Sequence, residues 1–392
     1  MKTILFFVMA SFSLAYFLFQ LRRKPSQNWL SVEVIVPAYN EEPVIEQSLI
    51  NLLRNPYVSR VICVNDGSTD RTSDLVRGLM QRTPRLLLVN QPNAGKGAAI
   101  MNGLNHVEAD YVFLTDADTY VPYGDGGLRR GNGLGYLLAE IEAGADAVGG
   151  VPSSDLRAGE LLAYVRASVK LPMIILKRTF QQMLGGAPFI ISGSCGMFRT
   201  SVLREVGMTD RTNCEDLDLT WELVGRCYKV RQVNRAVVYP QECKTLIDEW
   251  RRWRRWIMGY AVCMRLHKKL LLTRYGLFSI LPMFLVVGLG LGTYAVTWGS
   301  SLVHTHGGTL AGIMFPLVWL VVVTVLGTVS AVHHNKARLA FTAPLALFYV
   351  LLAYSVWLKH GLASLLTGFE YGRDKPTRYV REFERGASHV VA

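Results

Sequence analysis

Charged side chains are scarce in this chain. Asp, Glu, Lys and Arg make up 18% of its 392 residues, while half are hydrophobic. A disordered chain has the opposite balance, so that class is excluded. A wholly soluble protein usually carries about a quarter charged residues, so the deficit points to membrane contact. Cysteine is sparse too. The six cysteines (Cys63, Cys195, Cys214, Cys227, Cys243 and Cys263) include no CxxC pair and have no histidine at ligand spacing. They read as small buried hydrophobes, reduced if their domain is cytoplasmic. Neither GxxxxGKS/T nor a strand followed by GxGxxG occurs, so the two common glycine-rich phosphate cradles are missing.

Four stretches lack charge altogether: 3–20, and about 276–298, 307–332 and 339–358. Each is long enough to cross a bilayer. The first precedes Arg22-Arg23-Lys24, without a small-residue cleavage site. A cleavable signal has its charges first, so an anchor is expected, with the basic cluster in the cytoplasm. The connector near Ser300–Gly308 has no Lys or Arg and should face outward; Lys336 and Arg338 should face inward. The tail from Lys359 holds six Lys/Arg against four Asp/Glu. A simple last crossing would put that basic tail outside. Either 339–358 turns back at Pro344, or the tail breaks the charge rule. Charge-free segments also argue against an ion-coupled transporter.

Between the apolar parts lie about 250 residues, ample for one α/β domain. Apolar runs at 31–39, 60–66, 85–91 and 110–118 alternate with helix-like stretches at 42–54, 68–81 and 97–106. Ser68-Thr69-Asp70 can cap the second helix. This alternation predicts a mostly parallel, Rossmann-like sheet covered by helices. Ligands of such sheets sit beyond the carboxyl ends of the strands. Polar clusters fall there: Asn40-Glu41, Asp66-Gly67-Ser68 and Asp116-Ala117-Asp118. If Asp116 and Asp118 end a strand, alternation puts both carboxylates on one side, where they can share Mg²⁺ or Mn²⁺.

Further motifs follow in order: VPAYNEE (36–42), VNDGSTD (64–70), NAGKGAA (93–99), TDADT (115–119), SGSCGMFR (192–199), CEDLDLTWEL (214–223) and WRRWRRW (250–256). Together they resemble the inverting glycosyltransferases of family 2, which have a GT-A fold. The overall plan resembles the membrane-embedded processive poly-N-acetylglucosamine, hyaluronan, chitin and cellulose synthases. The resemblance spans about residues 33–272. It implies that Pro37, Ala38, Tyr39 and Glu41 line the uracil and ribose pocket, and that Asp66 binds uridine. Lys96 would hold the nucleotide-sugar, with Asp116 and Asp118 on the diphosphate, Asp118 through Mg²⁺ or Mn²⁺. Asp216, beside Glu215, would be the general base. Gly193 and Ser194 would leave room for the acceptor. Glu215-Asp216 also suits a helix N-terminus, where acidic residues are favoured.

Trp250, Trp253 and Trp256 drift about 60° per step on a helix and form a slanting stripe flanked by arginines. An interfacial helix explains this pattern. The family's Gln-x-x-Arg-Trp motif offers a second reading. Here it is RWRRW, with Arg255 on the diphosphate, Trp256 as a platform for the acceptor sugar, and Arg252 in place of the Gln. A second departure is the Gly-rich stretch Gly124–Gly135, read as a mobile insert beside the cleft.

The resulting plan is an anchor (1–24), a cytoplasmic GT-A domain (25–243), an interfacial Trp/Arg region (244–275), C-terminal membrane segments (276–358) and a basic tail (359–392). The expected site is the plasma or inner membrane, multi-pass. The expected activity is transfer from UDP-GlcNAc or UDP-Glc to a growing β-linked polysaccharide, with coupled export. Single transfer to a lipid acceptor and a non-enzymatic export subunit are the alternatives. About four apolar segments are few for a channel, so a small partner subunit or a homo-oligomer would complete one. The excess charge of +12 lies outside residues 31–240, which sum to −2. A nucleic-acid binder would carry that charge on its folded domain, so nucleic acid is excluded as a partner.

Overall fold

The computed structural model describes residues 24–123, 132–156, 159–282, 284, 308–372 and 378–380. The expected N-terminal anchor, Gly124–Gly131 of the Gly-rich stretch, most of the 276–298 segment and the end of the tail lie outside these residues.

In chain order the elements are β1 (Val32–Ala38), α1 (Ile45–Leu53), β2 (Val58–Asp66), α2 (Thr72–Met80), β3 (Leu86–Gln91), α3 (Lys96–Leu104), β4 (Tyr111–Leu114), β5 (Thr119–Tyr120), α4 (Gly133–Glu142), β6 (Ala147–Pro152), α5 (Leu161–Gly185), β7 (Gly196–Arg199), α6 (Thr200–Val206), α7 (Glu215–Gly225), β8 (Val230–Pro240) and α8 (Leu246–Leu266). After these come α9 (Gly308–His334) and a long helix, α10 (Arg338–Thr367). The strands join in the order β3-β2-β1-β4-β7-β6-β8-β5.

The first half is the expected alternation. β1, β2, β3 and β4 pair in parallel, with Val34, Ile35, Val36, Val61 and Ile62 fully buried. Apolar residues on both faces of these strands pack against helices, so the strands read as continuous apolar runs. The second half departs from a mostly parallel sheet. β7 runs antiparallel to both β4 and β6, and β5 runs antiparallel to β8, so the sheet is mixed.

β4 ends at Leu114, earlier than its apolar run suggested. Asp116 and Asp118 therefore lie in a turn, closed by the Thr119 amide donating to the Asp116 carbonyl at 3.0 Å. Strand alternation does not set their directions; the turn does. Helix α2 likewise starts later than expected, with Asp70 Oδ1 accepting from the Thr72 amide at 3.0 Å. Five cysteines are buried, as expected, but Cys227 is exposed. It sits at φ 64° in the turn after α7.

Helix α10 corrects the expectation that 339–358 turns back at Pro344. The chain passes Pro344 through a short 3₁₀ turn and continues as helix, without doubling back. Both ends of α10 contact the α/β domain. Leu339 packs with Tyr164 and Ala167 of α5, while Arg265 of α8 donates to the Leu365 carbonyl at 2.9 Å. The tail that follows therefore returns to the domain, where Glu370 accepts from Thr212 Oγ1 at 2.7 Å. Among the described residues, α10 alone is long and apolar enough to cross a membrane. Large apolar side chains stand exposed on α9 and α10, including Val321, Val332, Phe341, Phe348 and Leu366.

Candidate functional site

The loops after β1, β2 and β3 are knitted together at the carboxyl edge of the sheet. The Asn40 amide donates to Ser68 Oγ at 2.9 Å, and the Thr69 amide donates to Asn40 Oδ1 at 2.8 Å. Asp66 is buried and accepts from Gln91 Nε2 at 2.8 Å and from the amides of Ala94 and Gly95 at 2.8 and 3.0 Å. Gly67 permits this approach: its φ is +70°, and a Cβ there would lie 2.6 Å from the Asn93 nitrogen. The start of α3 is held by Asp210, which accepts from the Gly97 and Ala98 amides at 3.0 and 2.9 Å. An acidic residue fits a helix N-terminus on both hydrogen-bonding and dipole grounds. No local pattern marks Asp210, because its partner segment lies over a hundred residues away.

Lys96, the first residue of α3, projects into the centre of the site. Its Nζ lies 2.5 Å from Asp116 Oδ1 and 3.3 Å from Glu215 Oε1. Burial disfavours the Lys96 charge, but Asp116, Glu215 and Asp216 outweigh it and raise its pKa. For Asp116, burial pushes upward, while Lys96 and, more weakly, Arg378 and Arg255 bring the net shift downward.

Asp216 has the opposite character. It sits in the first turn of α7, as its acidic sequence context suggested. The Gly193 amide donates to Oδ2 at 3.0 Å, and the Leu217 amide donates to Oδ1 at 2.9 Å. Burial, followed by repulsion from Glu215, raises its pKa despite Lys96. Two adjacent carboxylates thus differ: Glu215 faces Lys96, and Asp216 is left as a carboxylate with raised proton affinity. Gly193 matters here, because a Cβ would meet Lys96 Nζ at 2.9 Å.

The Trp/Arg stretch forms α8, capped by Thr245, whose Oγ1 accepts from the Asp248 amide at 3.1 Å. Trp253 and Trp256 meet edge to face at 5.6 Å. Beneath them lies a buried charge cluster. Glu242 is 2.6 Å from Arg166, 2.7 Å from Lys170 and 2.9 Å from Arg252. Glu249 pairs with Arg252 and accepts from the Tyr349 hydroxyl of α10. Arg252 is therefore turned into this cluster, and it also lies 5.6 Å from the Trp256 ring centroid. Arg166 lies 5.3 Å from the same centroid.

Every candidate site residue lines one cavity of about 900 Å³: Pro37, Ala38, Tyr39, Glu41, Asp66, Lys96, Asp116, Asp118, Gly193, Ser194, Glu215, Asp216, Arg255 and Trp256. Among the described residues, no group of three or more His, Cys, Asp or Glu could hold a metal ion unaided. Asp116 and Asp118 offer two carboxylates on one side of the cavity. That donor set suits a hard divalent cation whose other ligands are phosphate oxygens and water. Sequence reasoning missed Arg378. Its guanidinium pairs with Asp118 and lies 3.0 Å from Glu41. Nothing in the tail sequence marks this arginine among its neighbouring basic residues.

A family model described as "Glycosyl transferase family 2" matches residues 33–207, and one described as "Glycosyl transferase family group 2" matches residues 137–358. A protein of Escherichia coli (strain K12) named "Uncharacterized glycosyltransferase YaiP" is 58% identical over 382 residues, covering 97% of this chain and 94% of that one. The poly-beta-1,6-N-acetyl-D-glucosamine synthase of Staphylococcus aureus (strain COL) is 29% identical over 253 residues, covering 62% of this chain and 58% of its own. Among solved structures, the mannosyltransferase PcManGT from Pyrobaculum calidifontis, in complex with GDP-Man and Mn²⁺, superposes with a TM-score of 0.55. The two share 19% identity over 93% of this chain and 97% of that one, a likeness of fold.

Proposed function

The chain belongs to glycosyltransferase family 2, and from that premise we propose an inverting enzyme that moves a sugar from a UDP-sugar to an acceptor hydroxyl at a membrane surface. The observation that carries this reading is the convergence on one cavity of Asp66, the Lys96–Asp116 pair and Asp216. Asp66 and the loop it braces would hold the uridine, alongside Pro37, Ala38, Tyr39 and Glu41. Lys96 and Arg255 would steady the diphosphate. Asp116 and Asp118 would hold Mg²⁺ or Mn²⁺, which supplies charge neutralisation to the diphosphate when bound. The mannosyltransferase PcManGT, which is similar in fold, was solved in complex with Mn²⁺, which supports a metal of this kind.

Asp216 would take the acceptor proton as the acceptor oxygen attacks the anomeric carbon. The raised proton affinity of Asp216 suits that task, since a base works best with a pKa nearer the working pH. The bond from the anomeric carbon to the diphosphate oxygen breaks, and its electron pair leaves with UDP. In-line attack from the opposite face turns an α-linked donor into a β-linked product. UDP-GlcNAc and UDP-Glc remain the proposed donors. The staphylococcal synthase, by its name, supports the first.

The exposed apolar faces of α9 and α10 support membrane attachment, because contiguous apolar surface of this kind marks a partner or a bilayer. We place the enzyme at the plasma or inner membrane, with the α/β domain cytoplasmic. Extension of a β-linked polysaccharide is the first reading of the acceptor. Single transfer to a lipid is the second, and one observation favours it: the cavity continues past Trp256 into an apolar end between α5, α9 and α10. The test is incubation of the membrane-embedded chain with labelled UDP-sugars plus Mg²⁺ or Mn²⁺, followed by sizing of the product. Label in a β-linked product from one UDP-sugar supports the proposal. No transfer from any of them overturns it.

A further inference from the structure

Helix α5 lays four cations along the cavity, at positions 166, 170, 177 and 178. The first two are neutralised by Glu242. The second two are not: among the described residues, no carboxylate lies within ion-pair distance of Lys177 or Arg178, and Asp216 acts on Arg178 only from farther away. Among the described residues, Lys177 lies over the face of Phe189, at 5.9 Å. Arg178 is buried, and its groups donate to neutral oxygens: Ser192 Oγ at 2.8 Å, the Gly150 carbonyl at 3.2 Å and Gln232 Oε1 at 3.4 Å. Among the described residues, its Nε has no hydrogen-bond partner. Burying the Arg178 charge without a contacting carboxylate is costly, and the adjacent, half-buried Lys177 charge adds to that cost. Burial, and then Arg178, lowers the Lys177 pKa to about 7. An anion placed here would relieve both groups.

The position of this pair says what kind of anion. Ser192, which Arg178 holds, precedes Gly193, whose amide holds Asp216. The cations therefore border the acceptor side of the site. On their other side the cavity wall becomes apolar, with Ile174, Phe284, Val323, Leu326, Ala353 and Trp357. A hydrocarbon chain gains more from burial against that wall than a polar sugar chain does.

We propose that Lys177 and Arg178 form the anion subsite for an amphiphilic acceptor, a phosphorylated lipid whose headgroup lies against both cations and whose hydrocarbon chain fills the apolar end of the cavity. This rests on the glycosyltransferase reading above and names its acceptor class. The headgroup presents an oxygen beside Asp216. That oxygen bonds to the anomeric carbon, UDP departs with the electron pair of the broken bond, and any proton on the oxygen passes to Asp216 and then to water.

The test uses the full chain in nanodiscs, with the labelled UDP-sugar that supports turnover. The acceptor probes are a polyprenyl phosphate, phosphatidylglycerol, neutral diacylglycerol and a short β-linked oligosaccharide. Inorganic phosphate is added as competitor. The proposal expects label in the organic phase with a phosphorylated lipid, at least tenfold less with diacylglycerol, and inhibition by phosphate that excess lipid overcomes. Lys177→Met should raise the KM for that lipid about tenfold and leave the KM for the UDP-sugar within twofold. Arg178→Lys, which keeps the charge, should be milder than Arg178→Met. Label only in the oligosaccharide, with Lys177→Met unchanged, overturns this inference and leaves the transferase reading standing. Phosphate inhibition with no labelled lipid also overturns it. Absence of transfer to every probe is the distinct outcome that defeats the transferase reading itself.

Discussion

The buried cluster under Trp256 holds two carboxylates that should respond to very different degrees to the same substitution. Glu242 faces three cations at 2.6, 2.7 and 2.9 Å. Burial alone would raise its pKa, but Arg166 and Lys170 reverse the sign and leave it lowered. Its contribution to stability is thus present above the ordinary carboxylate pKa and lost as pH falls through the lowered folded value. Glu249 is raised, because burial outweighs Arg166. A raised carboxyl favours folding when protonated, and that benefit is lost as pH rises through its folded pKa. Glu242→Gln removes a charge from three partners and leaves three cations with one carboxylate. At an effective dielectric constant of about 20, one such contact is worth about 6 kcal/mol gross. Most of that is offset by desolvation, and the net loss on breaking a buried pair is about 3–5 kcal/mol. Lys170, already lowered to about 8, would shed its proton in this variant and limit the loss. Glu249→Gln mimics the protonated form, keeps an oxygen for the Tyr349 hydroxyl and leaves Arg252 its Glu242 partner, so it should cost about 1 kcal/mol. Thermal unfolding of the detergent-solubilised chain, followed by tryptophan fluorescence, separates the two. At about 2–4 °C per kcal/mol for a domain of this size, Glu242→Gln should fall by about 10 °C and Glu249→Gln by only a few degrees. Equal falls would refute the reasoning.

Three further outcomes are expected. Gly193→Ala should lower turnover by about a hundredfold while the unfolding midpoint changes little, because the new Cβ displaces Lys96 Nζ from 2.9 Å rather than opening the core; circular dichroism with a turnover assay checks this. Arg378→Ala should reduce the Mn²⁺ concentration for half-maximal activity severalfold, since the guanidinium competes for Asp118; a titration against metal reads it, and an unchanged midpoint contradicts it. The acid limb of kcat/KM should fall above the ordinary Asp range, because burial raises Asp216. In Lys96→Met the limb should move higher still, because a cation that lowers the Asp216 pKa is gone.

Much of this architecture is legible from local sequence. The runs that became β1, β2 and β3 carry continuous apolar residues ended by turn chemistry, and both signals are local. The ordered motifs likewise bring out candidate residues, because Ala38 and Asp66 sit at strand ends and Lys96, Glu215 and Asp216 at helix starts. What escaped is long-range. β7 runs antiparallel because of how residues 196–199 return to β4, and no local pattern encodes that direction. The Asp116–Asp118 turn follows from where β4 loses its pairing partners. Arg378 reaches Asp118 across 260 positions of chain. Arg252 looked like a lost Gln, yet its environment is made by Glu242 and Glu249, whose burial depends on α5 and α10 packing over them.

The central claim is that Asp216 removes the acceptor proton in a transfer from a UDP-sugar. The most direct measurement pairs calorimetric UDP-sugar binding with turnover in Asp216→Asn. The account predicts donor affinity within about threefold of wild type and turnover reduced about a thousandfold, within the range a general base supplies. Near-normal turnover in that variant would contradict it.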